Sequence, residues 1–436
     1  MRAVSRPVII IIHQSEGATH VTAPSTTTAA NDRPMSVGTA IHEYLPNPTR
    51  QGGLCLALSG GGFRATLFHL GALRRLNELN LLSSIDSIAS VSGGSIMAAC
   101  LADAMMTNPP VRGTALTDFE GLVKKVHDLT SYNLRRTILL KKVEPQNWAC
   151  SLPELVAKEL EERVTSRALV DLPTTPRFIF CATDMAFGVN WVYTKEKAGD
   201  WQAGYTTSGL EKIKIAYAAA ASACFPPVFK PLDPQVAGNG FSGGAAQGPD
   251  ADLYRSRIRL CDGGVYDNMG LEPVWKNAQT LLVSDAGGPF EYASDRGTVS
   301  EIKRYPDIMG NQARALRKRW LISSFISGTG PGGTTGITGT YWGTEGDRSR
   351  YIAGDILGYS PELATLIAHI RTDLDEFSGA EAAILENHGY LLTDAALKVH
   401  VPTLYVTSSP LKTPYPEWMD ENKVKAALKD SSTQHF

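Results

Sequence analysis

Five apolar residues in a row, Leu54-Cys55-Leu56-Ala57-Leu58, run straight into Ser59-Gly60-Gly61-Gly62. An unbroken apolar run of this length is the pattern of a strand buried on both faces. Beyond the glycines, Leu67, Leu70, Leu73, Leu76 and Leu79 recur at helical spacing, with Arg74, Arg75 and Glu78 between them. That spacing predicts a helix with one apolar face. The pattern then repeats. Ile85 to Val91 reads as a second strand, Ser92-Gly93-Gly94 as a tight turn, and Ser95 to Ala104 as a second helix. Strand, helix, strand, helix in this order predicts parallel strands joined by crossovers.

The rest of the chain is read the same way. Thr107 to Arg177 is mostly helical in pattern, and Arg177 to Thr183 resumes strand character, with Val189 to Thr194 as a hairpin partner. Lys212 to Cys224 is an alanine-rich helix that stops at Pro226-Pro227. Residues 236–250 read as a mobile insertion. Ile258 to Cys261 is a short strand leading into Asp262-Gly263-Gly264, and Thr280 to Asp285 is another apolar strand. Ile308 to Phe325 is helical in pattern, Gly328 to Gly339 is a flexible loop or lid, Leu363 to Leu392 forms two helices, and His400 to Val406 is a last strand. Residues 1–43 form a flexible arm rich in Thr, Ala, Ser and Pro. The run Val8 to Ile12 inside it is too short for a usual signal core or a membrane span.

Composition narrows the class. The 436 residues are 43% hydrophobic and 20% charged, as in globular proteins. A net charge of −2 gives no global field for nucleic acid. The six cysteines lie singly, with no CxxC or Cys/His cluster, so no metal and no disulfide framework is expected. The cytosol is the expected compartment.

The two glycine turns carry the candidate chemistry. Ser92 lies on a strand-to-helix turn followed by Gly93 and Gly94, as in a nucleophile elbow, although Ser90 stands where such elbows carry glycine. Gly60, Gly61 and Gly62 can turn N–H groups toward a developing oxyanion, with the following helix adding its positive end. Arg64 adds a fixed charge there or ties the loop down. The GGGxR spacing fits neither a dinucleotide loop nor a phosphate loop. No histidine after Ser92 (His127, His369, His388, His400, His435) sits between a strand and a glycine turn, and His69 reads as packed. Asp262 does end a strand, with Gly263 and Gly264 behind it. Two weaker features are Arg314 to Trp320, a solvated or membrane-facing basic helix, and Asp184 and Asp285 at strand ends.

Taken together, Leu56-Ala57-Leu58-Ser59-Gly60-Gly61-Gly62-Phe63-Arg64-Ala65, Ser90-Val91-Ser92-Gly93-Gly94, Ala216 to Pro227, and Asp262-Gly263-Gly264 resemble the successive blocks of the patatin-like phospholipases, relatives of the group IV cytosolic phospholipases. The resemblance covers residues 54–270. It implies a three-layer α/β/α sandwich with a mostly parallel central sheet, spanning 44–290, with 291–436 as a helical extension or lid. It also implies a lipid acyl hydrolase without cofactor or metal, acting through a Ser92–Asp262 dyad. Its oxyanion site would be Gly60, Gly61, Gly62 and Arg64, with Ser90, Gly93, Gly94, Gly263 and Gly264 supporting the turns. The expected substrate is a membrane phospholipid or other lipid ester, met by transient contact with the membrane surface. A transacylase or soluble esterase, a signal-activated effector, and a silent lipid- or anion-binding protein are the alternatives.

Overall fold

The computed structural model describes residues 52–236, 240–248, 250–290, 297–329, 336–351, 356–405, 410–429 and 431. The arm 1–43 with its Val8–Ile12 run, and His435, lie outside these residues. All the described residues fall in one unit, Leu45–Phe436.

The predicted first unit forms as read: β1 (Leu54–Leu58), α1 (Gly62–Glu78), β2 (Ser87–Val91) and α2 (Gly93–Thr107). Three helices follow, α3 (Phe119–Thr130), α4 (Leu134–Lys142) and α5 (Leu152–Arg163). Next come β3 (Arg177–Asp184), β4 (Val189–Tyr193), β5 (Ala198–Asp200), β6 (Gly204–Thr206) and α6 (Ile215–Ser222). The short α7 (Ala251–Arg255), β7 (Leu260–Asp262), α8 (Gly264–Asp267) and β8 (Thr280–Asp285) lead to the long α9 (Thr298–Thr329). The chain closes with β9 (Thr338–Gly343), α10 (Pro361–Ala368), α11 (Gly379–His400) and α12 (Glu421–Leu428).

The sheet runs β6-β5-β4-β3-β2-β1-β8-β9, with β7 paired to β3. Strands β3, β2, β1, β8 and β9 are parallel neighbours, while β4, β5, β6 and β7 pair antiparallel. Alternate residues of the parallel strands enter two separate cores. Leu56, Leu58, Ile88, Phe178, Phe180 and Leu282 pack with the apolar residues of α1, α2 and α11. Cys55, Ala57, Ala89, Val91, Ile179 and Val283 face the other way, against Met269, Leu271, Val274, Leu321 and Phe325. These two cores are the physical reason why the strands read as continuous apolar runs.

Three expectations change. The Gly328–Gly339 segment is not all loop: Thr338 begins β9, which extends the sheet beside β8, while 330–335 lie outside the described residues. His400–Tyr405 is not a strand, and Val406 lies outside the described residues. Helix α11 runs to His400, Val401 caps it by bonding Leu397 O, and Pro402 opens a 3-10 turn, having no N–H to give a sheet. Within 236–250, the described residues are anchored: Ser242 pairs with Tyr205, and Ala245 and Ala246 N–H groups bond Trp201 and Gln202 carbonyls. All six cysteines are free thiols. Among the described residues, no helix is long and apolar enough to cross a membrane.

Candidate active site

The site forms where β2 stops and β3 continues. Strand β2 pairs with β3 as far as Val91 opposite Cys181. There the chain leaves the sheet to make the Ser92 turn. The next position along β3, Ala182, is taken by Asp262 of the antiparallel β7. Asp262 therefore occupies the register slot that Ser92 would fill if β2 ran on. Strand β7 thus continues the path of β2 along β3, and this exchange brings Asp262 up to the Ser92 turn.

The Ser92 backbone is in an uncommon conformation, φ 52° and ψ −120°. Such a turn pushes the side chain out of the strand path at the start of α2. Its side chain acts on the Asp262 carboxyl, favouring the ionised form. Asp262 is only 3% exposed. Burial pushes its pKa up from 3.8 to about 6, against the opposing pull of the Gly264 N–H and the Ser92 hydroxyl. The Gly264 N–H donates to Asp262 Oδ1 at 2.7 Å. The Thr183 hydroxyl donates to the Asp262 carbonyl at 2.8 Å.

The glycine loop and the elbow touch through their backbones. A Cβ on Gly93 would overlap the Gly62 carbonyl oxygen, and one on Gly62 would lie 2.6 Å from the Asp373 carbonyl at a φ of 57°. Only glycine fits either place. Gly94 and Gly263 press equally close to the carbonyls of Leu58 and Cys181. The N–H groups of Gly61, Gly62 and Gly93 bond to no other described residue. The N–H of Gly60 does not share that freedom, because it donates to the Asn268 carbonyl at 3.0 Å. Gly60 thus shapes the loop, and its expected part as a donor is withdrawn.

The sequence model of the family described as patatin-like phospholipase matches residues 56–275, just over half of the 436-residue chain. The chain belongs to the patatin-like phospholipase family. Among solved structures, human GIVD cytosolic phospholipase A2 is similar at 12% identity and a TM-score of 0.46, over 89% of this chain and 61% of that one. The same human protein with methyl gamma-linolenyl fluorophosphonate matches at 13% identity and a TM-score of 0.45, over 86% and 59%. VipD from Legionella pneumophila matches at 14% identity and a TM-score of 0.32, over 81% and 68%. The chain thus spans about 60% of the length of the human protein it resembles. No curated protein sequence matches it.

Two patatin-like positions behave in ways the sequence left open. Ser90, in place of the elbow glycine, is accommodated by bonding: its hydroxyl donates to Ile179 O at 3.3 Å and accepts from Ser95 Oγ at 3.0 Å. Arg64 is turned into the protein and is only 1% exposed. Its guanidinium donates to the carbonyls of Ala368, Ile370 and Ala286 at 2.7–2.8 Å. It ties the loop down, and its expected place in the oxyanion site is corrected accordingly.

The basic stretch of α9 is also turned inward. Arg314 donates to Asp285 at 2.9 Å and to the Gly288 carbonyl at 2.5 Å. Burial pushes the Asp285 carboxyl up, but Arg314, the Tyr341 hydroxyl and the Gly287 N–H hold it well below the usual carboxylate range. Arg317 bonds the Tyr266 carbonyl, and Lys318 lies 4.4 Å over the Tyr341 ring. Three of the four basic residues thus bind α9 to the domain, which leaves Arg319 as the exposed one. His69 is packed, as read: Nε2 donates to Ser59 O at 2.9 Å and Nδ1 accepts from Ser284 Oγ at 2.8 Å. Burial lowers its pKa to about 4, so it is neutral.

Sequence reading missed Asn268. Its carboxamide sits between three glycines, with Oδ1 2.5 Å and 2.6 Å from where Cβ atoms on Gly60 and Gly264 would lie, and Nδ2 2.8 Å from that of Gly287. The DGGVYDN spacing gave no physical signal for it, because an Asn after a glycine turn is common in any loop.

Proposed function

We propose that this protein is a serine lipid acyl hydrolase of phospholipase A type, with Ser92 as nucleophile and Asp262 as its base. The observation that carries the reading is a buried carboxyl that the strand register brings up to a serine on a positive-φ strand-to-helix turn. Asp262 Oδ takes the Ser92 proton as Oγ attacks the ester carbonyl. The carbonyl oxygen becomes an oxyanion beside the unbonded N–H groups of Gly61, Gly62 and Gly93, and each such donor is worth about 3 kcal/mol of barrier. The intermediate collapses as Asp262 gives its proton to the leaving alcohol, and an acyl group remains on Ser92. Water, deprotonated by Asp262, then attacks the acyl-enzyme. The fatty acid leaves, and Ser92 regains a proton. A pKa of about 6 suits this traffic better than that of an ordinary carboxylate, since the base is ionised at neutral pH yet strong enough to accept a proton. The protein would work from the cytosol in transient contact with a membrane surface.

The test is fluorophosphonate labelling together with lipid turnover. Wild type should label and release fatty acid from phospholipid vesicles. Ser92→Ala should do neither, and Asp262→Asn should lose at least 10²-fold in rate. A folded wild type that neither labels nor turns over lipid would overturn the reading. Turnover of short-chain esters alone would favour the soluble-esterase alternative.

A further inference from the structure

We propose that Ser222 is a positioning residue that sets the relation between Ser92 and Asp262 by gripping both turns from one helix end. The inference rests on the dyad reading above.

Ser222 is the last residue of α6 and is fully buried. Its Oγ accepts the Ser92 N–H at 2.9 Å and donates its single proton to the Cys181 carbonyl at 2.5 Å. Its own carbonyl accepts the Gly263 N–H at 3.2 Å. Two residues on, the Cys224 carbonyl accepts the Asp262 N–H at 3.1 Å. The amides of the nucleophile, of the base, and of the residue after the base therefore all end on residues 222–224. The Cys181 carbonyl anchors the hydroxyl to the β3 position just before the slot that Asp262 fills.

The surroundings make the hydroxyl specific. Residues 218–221 of α6 are all alanine, and Ser222 carries the one hydroxyl after that run, where it meets the elbow. Ser92 holds a φ of 52°, which non-glycine residues avoid, so its backbone persists only where neighbours over-determine it. The Ser222 hydroxyl is the partner of its N–H. Without it that amide is buried and unpaired, and the turn is free to relax toward a commoner conformation. Relaxation carries Oγ away from Asp262, and a displacement of about 1 Å costs about 10²-fold in rate.

The experiment measures Ser222→Ala in the full chain with a soluble short-chain ester, per active site titrated by fluorophosphonate. Positioning predicts that kcat per labelled site falls 30- to 100-fold, by order of magnitude, with KM unchanged. It also predicts that the ascending limb of the pH profile moves upward, because a displaced Ser92 side chain lowers the Asp262 pKa less. A purely structural role instead lowers the labelled fraction, with kcat per labelled site and the limb as in wild type, and that result overturns the proposal. Should the alanine variant fail to fold, Ser222→Cys decides. A thiol is a poorer acceptor, so an intermediate loss with a raised limb supports the grip and a wild-type profile refutes it. Wild-type-like turnover in Ser92→Ala would sink the dyad itself; a dead Ser92→Ala beside an unaffected Ser222→Ala would sink only this inference.

Discussion

Asp262→Asn should inactivate the protein and stabilise it at the same time, by an amount that grows with pH. The Asp262 carboxyl has its pKa raised from 3.8 to about 6, chiefly by burial. A raised folded-state pKa means that the folded chain binds this proton more tightly than the unfolded chain does. The stabilisation from that proton is complete at low pH and is lost as pH rises from about 4 through about 6. Relative to low pH, about 1 kcal/mol of stability is lost by pH 4.5, where the unfolded chain has mostly ionised and the folded carboxyl is still protonated, and about 3 kcal/mol by pH 7.5, where both are ionised. Asparagine is nearly isosteric, keeps an oxygen for the Gly264 N–H, and never ionises. Its new N–H₂ group loses or gains a roughly constant amount against Ser92. Relative to wild type, the variant's unfolding free energy should therefore rise by about 2 kcal/mol between pH 4.5 and pH 7.5. Urea unfolding at both pH values, with matched m-values, reads this difference directly. A stability difference that is flat across that range, or that falls, would show that Asp262 is not a carboxyl held partly protonated by burial.

Two further outcomes follow from the same geometry. With a soluble ester, kcat/KM should rise with pH through an apparent pKa of about 6 and fall roughly tenfold per pH unit below it; a profile flat from pH 5 to pH 8 would exclude the Asp262 base. Arg64→Lys keeps the charge but cannot reach three carbonyls at once, and should cost about 2–3 kcal/mol of stability in thermal or urea unfolding. Because Arg64 faces backbone and not substrate, the ratio of anionic to neutral lipid turnover should stay as in wild type, and a change in that ratio would place Arg64 at the headgroup.

The first unit of the fold was legible because its signals are local. Leu54–Leu58 is apolar on both pleat faces since both faces are covered, and the Gly62–Gly93 contact explains why two turns thirty residues apart both need glycine. Asp262 was legible as an acid at a strand end before a glycine turn, and its role only through family resemblance. Its place depends on β7 filling the end of β3, a pairing across some 80 residues that no spacing reveals. Strand β9 was hidden because Thr338-Gly339-Thr340 looks like loop. Gly339 is there because a side chain would overlap the Leu281 carbonyl. The His400–Val406 alternation misled in the opposite sense: it ends a helix, and Val401 is buried by folding back on it. Ser222 and Asn268 gave no sign, since a serine after alanines and an asparagine in a turn are each fully explained by packing until the tertiary partners are seen.

The C-terminal third, which carried no motif, turns out to hold the donor loop. The Asp373 carbonyl accepts the Phe63 N–H at 2.9 Å, satisfying one of the unpaired amides at the start of α1. Asp373 in turn pairs with Arg135, and the Ala368 and Ile370 carbonyls receive Arg64. These contacts fix which amides are left over. With the Phe63 N–H bonded to Asp373 and the Gly60 N–H to Asn268, those of Gly61 and Gly62 are left without a partner among the described residues. The setting of Asp262 follows from similar crowding. Asp262 enters the β3 position just beyond the end of β2, beside the Ser92 turn. A short acid in a dry slot is a weak base at its ordinary pKa, and the burial that the slot imposes is what raises it. The strand register, the buried carboxyl beside the serine and its elevated pKa are thus three consequences of one event, the exit of the chain from β2 at Ser92.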